Sequence, residues 1–209
     1  MKILHIVCSP RGAESLSLRF SQRIVARLVA RHPCAEVTTR DLGAVPLPHA
    51  DEDYGHALAG SRPPPDDAPA HGGSLLRSDQ LIAELERADT LVIGTPMHNY
   101  TVPSVLKAWL DHVIRVHRTF RLTPEGKKGL LADRPVYVAV AAGGSYTGAD
   151  ARQPDFLTPY LQAALGTIGL RDLRFFPLQR MVGGEARVEE ALRDAQALLE
   201  RQLPAGLSA

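Results

Sequence analysis

The sequence predicts an α/β three-layer sandwich, a five-stranded parallel sheet with helices on both faces. Three observations predict it. Runs at 2–8, 91–94, 136–142 and 173–178 are apolar nearly throughout, as strands covered on both faces must be. Between them lie stretches whose apolar residues recur every three or four positions. Strand and helix alternate along the chain, the pattern of a parallel sheet with helical crossovers. At 209 residues the chain buries one good core, so a single domain over 1–209 is expected.

Composition narrows the function classes. The chain is 44% apolar and 22% charged, ordinary for a soluble globular protein. Lys and Arg number 24 against 23 Asp and Glu, with no basic block, so nucleic acid is not expected as a partner. Cys8 and Cys34 form no metal or disulfide pattern; no metal is expected, and a cytoplasmic setting fits. The apolar run Ile3–Val7 is too short for a signal peptide or a membrane span, so no membrane partner is expected. No internal repeat is visible.

The first strand, 2–8, leads into the turn Ser9-Pro10-Arg11-Gly12-Ala13-Glu14-Ser15-Leu16-Ser17. A helix follows to about Arg31, with Phe20, Ile24 and Leu28 at four-residue spacing. Such a turn presents free amides at a helix N-terminus, a natural phosphate seat. It lacks both the GxGxxG of dinucleotide folds and the GK[ST] of a P-loop. Hydroxyls of Ser9, Ser15 and Ser17, with Arg11, then take over part of the glycine amides' work, which suits a terminal phosphomonoester. Alternatively Ser15 or Ser17 is an N-cap, a role compatible with phosphate binding.

Residues 36–41 read as the second strand. Asp41 at its end is not taken as a ribose-binding acid, because the glycine fingerprint is absent. From Gly43 to Gly73 the prolines 46, 48, 63, 64, 65 and 69 break all periodicity, apart from a short helical piece near Glu52–Ala59. This excursion is either a surface linker or something functional. A helix over Leu75–Ala88 delivers the chain to the central strand.

That strand, Leu91-Val92-Ile93-Gly94, opens the loop Thr95-Pro96-Met97-His98-Asn99-Tyr100-Thr101-Val102. Pro103 and Ser104 start a helix with Val105, Leu106, Trp109, Leu110, Val113 and Ile114 on one face. Ligands of open α/β sheets bind at the carboxyl ends of strands, where this loop sits. Residues 119–129 read as an exposed loop: Lys127 and Lys128 as solvated surface, Phe120 as a core anchor or a cleft wall. The fourth strand, 136–142, ends at Gly143-Gly144-Ser145-Tyr146, where paired glycines form a tight turn or admit a ligand to the backbone. A helix at 155–168, a strand at Leu173–Leu178 and a helix at Glu185–Gln202 complete the chain.

The run Pro96-Met97-His98-Asn99-Tyr100, with Pro103-Ser104, Leu106-Lys107-Ala108-Trp109 and Thr119-Phe120-Arg121, resembles the FMN-dependent NADH azoreductases, also described as NADH:quinone oxidoreductases. Ser9-Pro10-Arg11 with Ser15 and Ser17, Thr158-Pro159-Tyr160-Leu161 and Leu165-Gly166-Thr167-Ile168-Gly169 extend the resemblance over nearly the whole chain. It implies a flavodoxin-like fold with strand order 2-1-3-4-5, which brings the loops after strands one, three and four together. It also implies noncovalent FMN held by Ser9, Arg11, Ser15, the Leu16 backbone, Ser17, Pro96, Met97, His98, Asn99, Tyr100, Gly143, Gly144 and Tyr146.

Hydride would pass from NADH or NADPH to flavin N5, and two electrons then to a quinone or azo compound, by a ping-pong route. No protein acid-base group is required: FMN carries the chemistry, with Asn99 and nearby amides tuning it. His98 stands where the family often has Tyr; it is either solvated or a proton donor. Ala141-Ala142 replace a Ser-Arg pair seen in some members, removing that arginine's charge. Phe120, Leu122 and Thr167 are expected around the substrate cleft. Leu122 and Thr167 replace rings found in some members, which implies a wider mouth favouring compact quinones over azo dyes. A homodimer with sites at its interface is implied, with the 43–73 excursion as cover or as part of a partner's site. The Trp109 helix is a candidate contact, core packing being the alternative. A flavodoxin-like electron carrier or regulatory FMN-binding protein that does not turn over pyridine nucleotide is the competing reading, the carrier being argued against by the lack of acidic excess; a third is a non-flavin enzyme using the serine loop for another phosphate.

Overall fold

The computed structural model describes residues 1–59 and 73–204. Strands β1 (Lys2–Val7), β2 (Glu36–Asp41), β3 (Thr90–Pro96), β6 (Val136–Ala141) and β7 (Leu173–Leu178) form one parallel sheet in the order β2-β1-β3-β6-β7. With the parallel strands alone numbered, this is the expected 2-1-3-4-5 order. The register aligns the carboxyl ends: Val7 pairs with Gly94 and with Asp41, Pro96 with Ala141, and Ala141 with Leu178.

Alternation along each strand feeds two cores. Leu4, Ile6, Leu91, Ile93, Val136 and Val138 face α3 (Ser74–Arg87), α4 (Ser104–Val113) and α5 (Leu157–Ile168). Ile3, Val92, Tyr137 and Ala139 face α1 (Leu16–Arg31) and α6 (Glu185–Gln202), where Phe20 and Phe176 pack as a tilted pair with centroids 5.9 Å apart. Trp109 is fully buried in the first core, so it anchors its own chain and is no contact surface. Truncating it to Ala would cost about 3–5 kcal/mol through lost burial and a residual cavity.

Two sequence expectations change. Residues 119–129 are not an irregular loop. They form an antiparallel hairpin, β4 (Phe120–Thr123) and β5 (Gly126–Gly129), pairing Phe120 with Gly129. Phe120 anchors it as a buried ring with Lys127 Nζ 5.3 Å above its centre, an attraction available to a solvated lysine. Four-residue strands separated by two residues are too short to show a period-2 pattern.

The described part of the proline-rich excursion is packed rather than loose. Tyr54, in α2 (Glu52–Ala59), is buried and donates its hydroxyl to the Asp111 carbonyl. Asp51 accepts from the Tyr54 amide at 3.0 Å and the Ser74 amide at 2.9 Å, capping α2 and tying it to the start of α3. His112 Nε2 bonds the Pro48 carbonyl at 3.0 Å. These contacts lie on α3 and the far end of α4. Of the 43–73 excursion expected as a cover, residues 60–72, with Pro63, Pro64, Pro65 and Pro69, lie outside the described residues.

Candidate functional site

Four connections meet at the carboxyl edge of the sheet, after β1, β3, β6 and β7. The first is the serine turn. Ser9, Ser15 and Ser17 are all buried. Ser15 is the N-cap of α1, accepting the Leu18 amide at 3.2 Å, and its hydroxyl lies 3.0 Å from that of Ser17. Capping and a hydroxyl cluster therefore coexist. The Leu16 and Ser17 amides are first-turn donors that an α-helix leaves unpaired. Ser9 Oγ accepts the Arg11 amide at 3.3 Å, while the exposed Arg11 guanidinium lies 3.7 Å from Glu14. An anion here meets hydroxyls, amides and the positive end of a helix dipole, each favouring negative charge.

The second connection is a tight turn. His98 N–H donates to the Thr101 carbonyl at 2.9 Å and Thr101 N–H returns to His98 at 3.0 Å. Between them Asn99 (φ 48°) and Tyr100 (φ 70°) both take left-handed backbone, the signature of a type I′ turn. Asn tolerates this conformation; for Tyr it is an outlier with an energetic cost. The turn is pinned from outside, since Tyr100's carbonyl accepts the Phe156 amide at 3.0 Å. The Asn99 and Tyr100 amides make no hydrogen bond among the described residues. By contrast, Met97 N–H is committed to the Ala141 carbonyl at 2.8 Å and His98 N–H to the turn itself, so neither is a spare donor. The His98 side chain is exposed, and Pro96 closes β3 as its last strand residue.

The third connection offers the Gly143, Gly144 and Ser145 amides, which also lack partners among the described residues. The Tyr146 and Thr147 amides are different: both donate to Gln179 Oε1, at 2.7 and 2.9 Å. Tyr146 itself is buried in the core, and burial pushes its hydroxyl pKa up. It supports the wall from behind instead of offering its amide to a ligand.

Sequence reading missed the fourth connection. Gln179 holds the Tyr146–Thr147 segment, Arg180 N–H reaches the Gly144 carbonyl at 3.2 Å, and the Arg180 guanidinium pairs with Asp150 at 3.0 Å. It also missed Gln153, which lies between the second and third connections. The available signal was that a fourth strand-to-helix loop follows β7 at the same sheet edge.

Phe120, Leu122 and Thr167 are not at this edge. Leu131 N–H bonds the Ile168 carbonyl at 3.1 Å, so the hairpin sits at the end of α5 that leads into the amino end of β7. The reason is α5 itself: twelve residues run antiparallel to the strands and carry Thr167 on the order of 15 Å from the site edge. In one chain these residues do not line the cleft. A hollow of about 340 Å³ lies beside β7 and α6 and begins at the fourth connection, with Gln179 and Arg180 in its lining. Arg187 and Arg201 line it together with Glu190 and Asp194.

A parallel sheet whose strand ends gather a serine-lined helix terminus and two loops of unpaired amides defines a flavodoxin-like protein. The chain matches the family described as having the flavodoxin-like fold over residues 1–203. It is 50% identical over 200 residues to FMN-dependent NADH:quinone oxidoreductase 4 of Pseudomonas fluorescens, covering 96% of this chain and 94% of that one. A second relative, FMN-dependent NADH:quinone oxidoreductase 5 of Burkholderia lata, is 48% identical over 187 residues, covering 90% and 89%. In three dimensions it is similar to an FMN-dependent NADH-azoreductase of Bacillus anthracis in complex with FMN, with TM-score 0.80 at 22% identity, covering 97% and 99%. The chain belongs to the FMN-dependent NADH:quinone oxidoreductase family. No described helix is long and apolar enough to cross a membrane.

Proposed function

We propose that this protein is an FMN-dependent oxidoreductase that carries two electrons from NAD(P)H to quinones and aromatic azo compounds by a ping-pong route. The observation that carries this reading is the convergence, at one sheet edge, of a phosphate-type seat and two strips of partnerless amides. The donors suit FMN. The Ser9, Ser15 and Ser17 hydroxyls with the Leu16 and Ser17 amides take the phosphate, and Arg11 adds a positive charge at the rim. The Asn99 and Tyr100 amides on one wall and the Gly143 and Gly144 amides on the other would donate to the ring system. Pro96, Met97 and His98 fix the turn that presents Asn99, and Tyr146 backs the opposite wall.

FMN, when bound, would supply the two-electron redox chemistry between NAD(P)H and the acceptor. The protein's part is to position, to donate hydrogen bonds where negative charge develops, and to exclude water. Exclusion is incomplete in one chain, because the rim residues Tyr100 and Phe156 stay 49% and 59% exposed. We therefore propose a homodimer in which a second copy closes the cleft. The exposed Leu122 and Leu130 on and beside the hairpin are the apolar surface for that contact. Both cysteines are free, which fits a reducing cytoplasmic location.

The visible spectrum of the purified protein is the first test. A yellow protein bleached by NADH and recoloured by benzoquinone supports the reading. A yellow protein that NADH does not bleach is an electron carrier instead. A protein that stays colourless after incubation with FMN rejects the assignment.

A further inference from the structure

Gln153 bridges two walls of the site. Its side-chain nitrogen donates to Met97 Sδ at 3.1 Å, and its oxygen fills the space where a Cβ on Gly144 would stand. Its backbone is fastened beneath the third connection: the Arg152 and Gln153 amides donate to the Ser145 carbonyl at 2.9 and 3.2 Å. The side chain thus springs from the base of one wall and reaches across to the loop of the other. A thioether is a weak acceptor, so this donor is poorly matched and readily exchanged. Gly144, read from sequence as room for a ligand, here makes room for this carboxamide.

Two cations near these walls have acid partners, Arg11 lying 3.7 Å from Glu14 and Arg180 lying 3.0 Å from Asp150. Negative charge arriving between the walls also gains from any neutral donor that reaches it. Hydrogen bonds to a charged acceptor are roughly twice as strong as neutral ones. A donor that reaches the ring therefore favours its reduced, negatively charged form over the oxidised one.

We propose that Gln153 is a flavin-contacting residue whose carboxamide exchanges Met97 Sδ for a carbonyl oxygen on the pyrimidine edge of the isoalloxazine and thereby raises the reduction potential. The role rests on the FMN assignment above.

Gln153→Met keeps the side-chain length and removes the donor; Gln153→Glu keeps the shape and adds a negative charge. The measurements are FMN dissociation constants by fluorescence titration and midpoint potentials of the reconstituted proteins. In Gln153→Met, reduced FMN should lose about tenfold in affinity relative to oxidised FMN. That ratio equals about 30 mV of lower potential for a two-electron couple. Gln153→Glu should lower the potential further. Equal losses in both redox states would mean that Gln153 only braces the loops, and unchanged values would mean that it stays outside the ligand's reach; either overturns the proposal. If the wild-type protein takes up no FMN, the cofactor assignment fails and this role fails with it. If FMN binds and the potentials do not move, only the role of Gln153 is lost.

Discussion

Gly43 packs directly on the backbone carbonyl of Ser9: a Cβ at position 43 would overlap that oxygen. The contact is backbone against backbone, so no flexible side chain can relieve it. Asp41 holds Gly43 in place by accepting the Gly43 and Ala44 amides, both at 2.9 Å. The acid at the end of β2 is therefore a turn former, and the turn it forms braces the phosphate seat. Gly43→Ala should displace Ser9, cost about 1–3 kcal/mol of stability through overpacking, and weaken FMN binding. Urea unfolding and fluorescence titration read the two effects; unchanged FMN affinity would show that Ser9 does not depend on this brace.

The serines should separate by role. Ser15→Ala removes the N-cap of α1 and should lower stability by about 1 kcal/mol. Ser9→Ala with Ser17→Ala should leave stability nearly intact and weaken FMN binding by about 1.5–3 kcal/mol for each lost bond to the phosphate. Equal FMN affinity in the double variant would remove these hydroxyls from the site.

Asn99 holds a left-handed conformation, so Asn99→Ala mixes backbone strain with the loss of its amide. Asn99→Gly separates them by keeping the turn and its free N–H. Stopped-flow bleaching of FMN-saturated protein by NADH should be slowed in Asn99→Gly if the side chain contacts the flavin. A wild-type rate would assign the contact to the backbone alone.

In the proposed homodimer, Leu122 and Thr167 would reach the cleft of the second copy. Leu122 is 66% exposed on the hairpin, so Leu122→Asp should weaken self-association in sedimentation velocity. Leu122→Tyr should raise kcat/KM for a bulky azo dye relative to benzoquinone, by up to about tenfold if one aromatic pair forms. A ratio that does not move would place the hairpin away from the partner subunit's site.

His5 should set part of the acid stability. Its Nε2 lies 2.8 Å from Ser21 Oγ, and that hydroxyl already donates to the Leu18 carbonyl at 2.9 Å. Nε2 is therefore the donor in this pair, a role open to the neutral and the charged ring alike. Burial lowers its pKa from 6.5 to about 4, opposed by the nearby Asp41 carboxylate. The folded value lies below the unfolded one, so this contribution is full above pH 6.5 and is lost as pH falls towards 4. It amounts to on the order of 3 kcal/mol. Chemical denaturation at pH 7 and pH 4 should show a smaller loss on acidification for His5→Gln than for the wild-type protein; parallel losses would assign the acid sensitivity elsewhere.

The order of the parallel strands and their helices was legible in the sequence because side-chain periodicity is local, whereas the short β4–β5 hairpin was not. The strands at 36–41 and 173–178 and the final helix 185–202 lie where the pattern put them. The edge that gathers the loops was legible too, since parallel strands with crossovers send every strand-to-helix turn to the same side. Tertiary structure decided which groups at that edge remain available. The amides of Met97 and Tyr146 are taken by Ala141 and Gln179, partners 44 and 33 residues away along the chain. It also decided that Trp109 faces its own core and that Leu122 and Thr167 lie at the opposite edge, because a helix of twelve residues returns the chain across the sheet. Gln153 carries no motif and becomes visible only where two walls from different strands face each other. Local pattern determines which elements form. The free donors are the backbone groups left over after distant segments pair, and that remainder exists only in the folded chain.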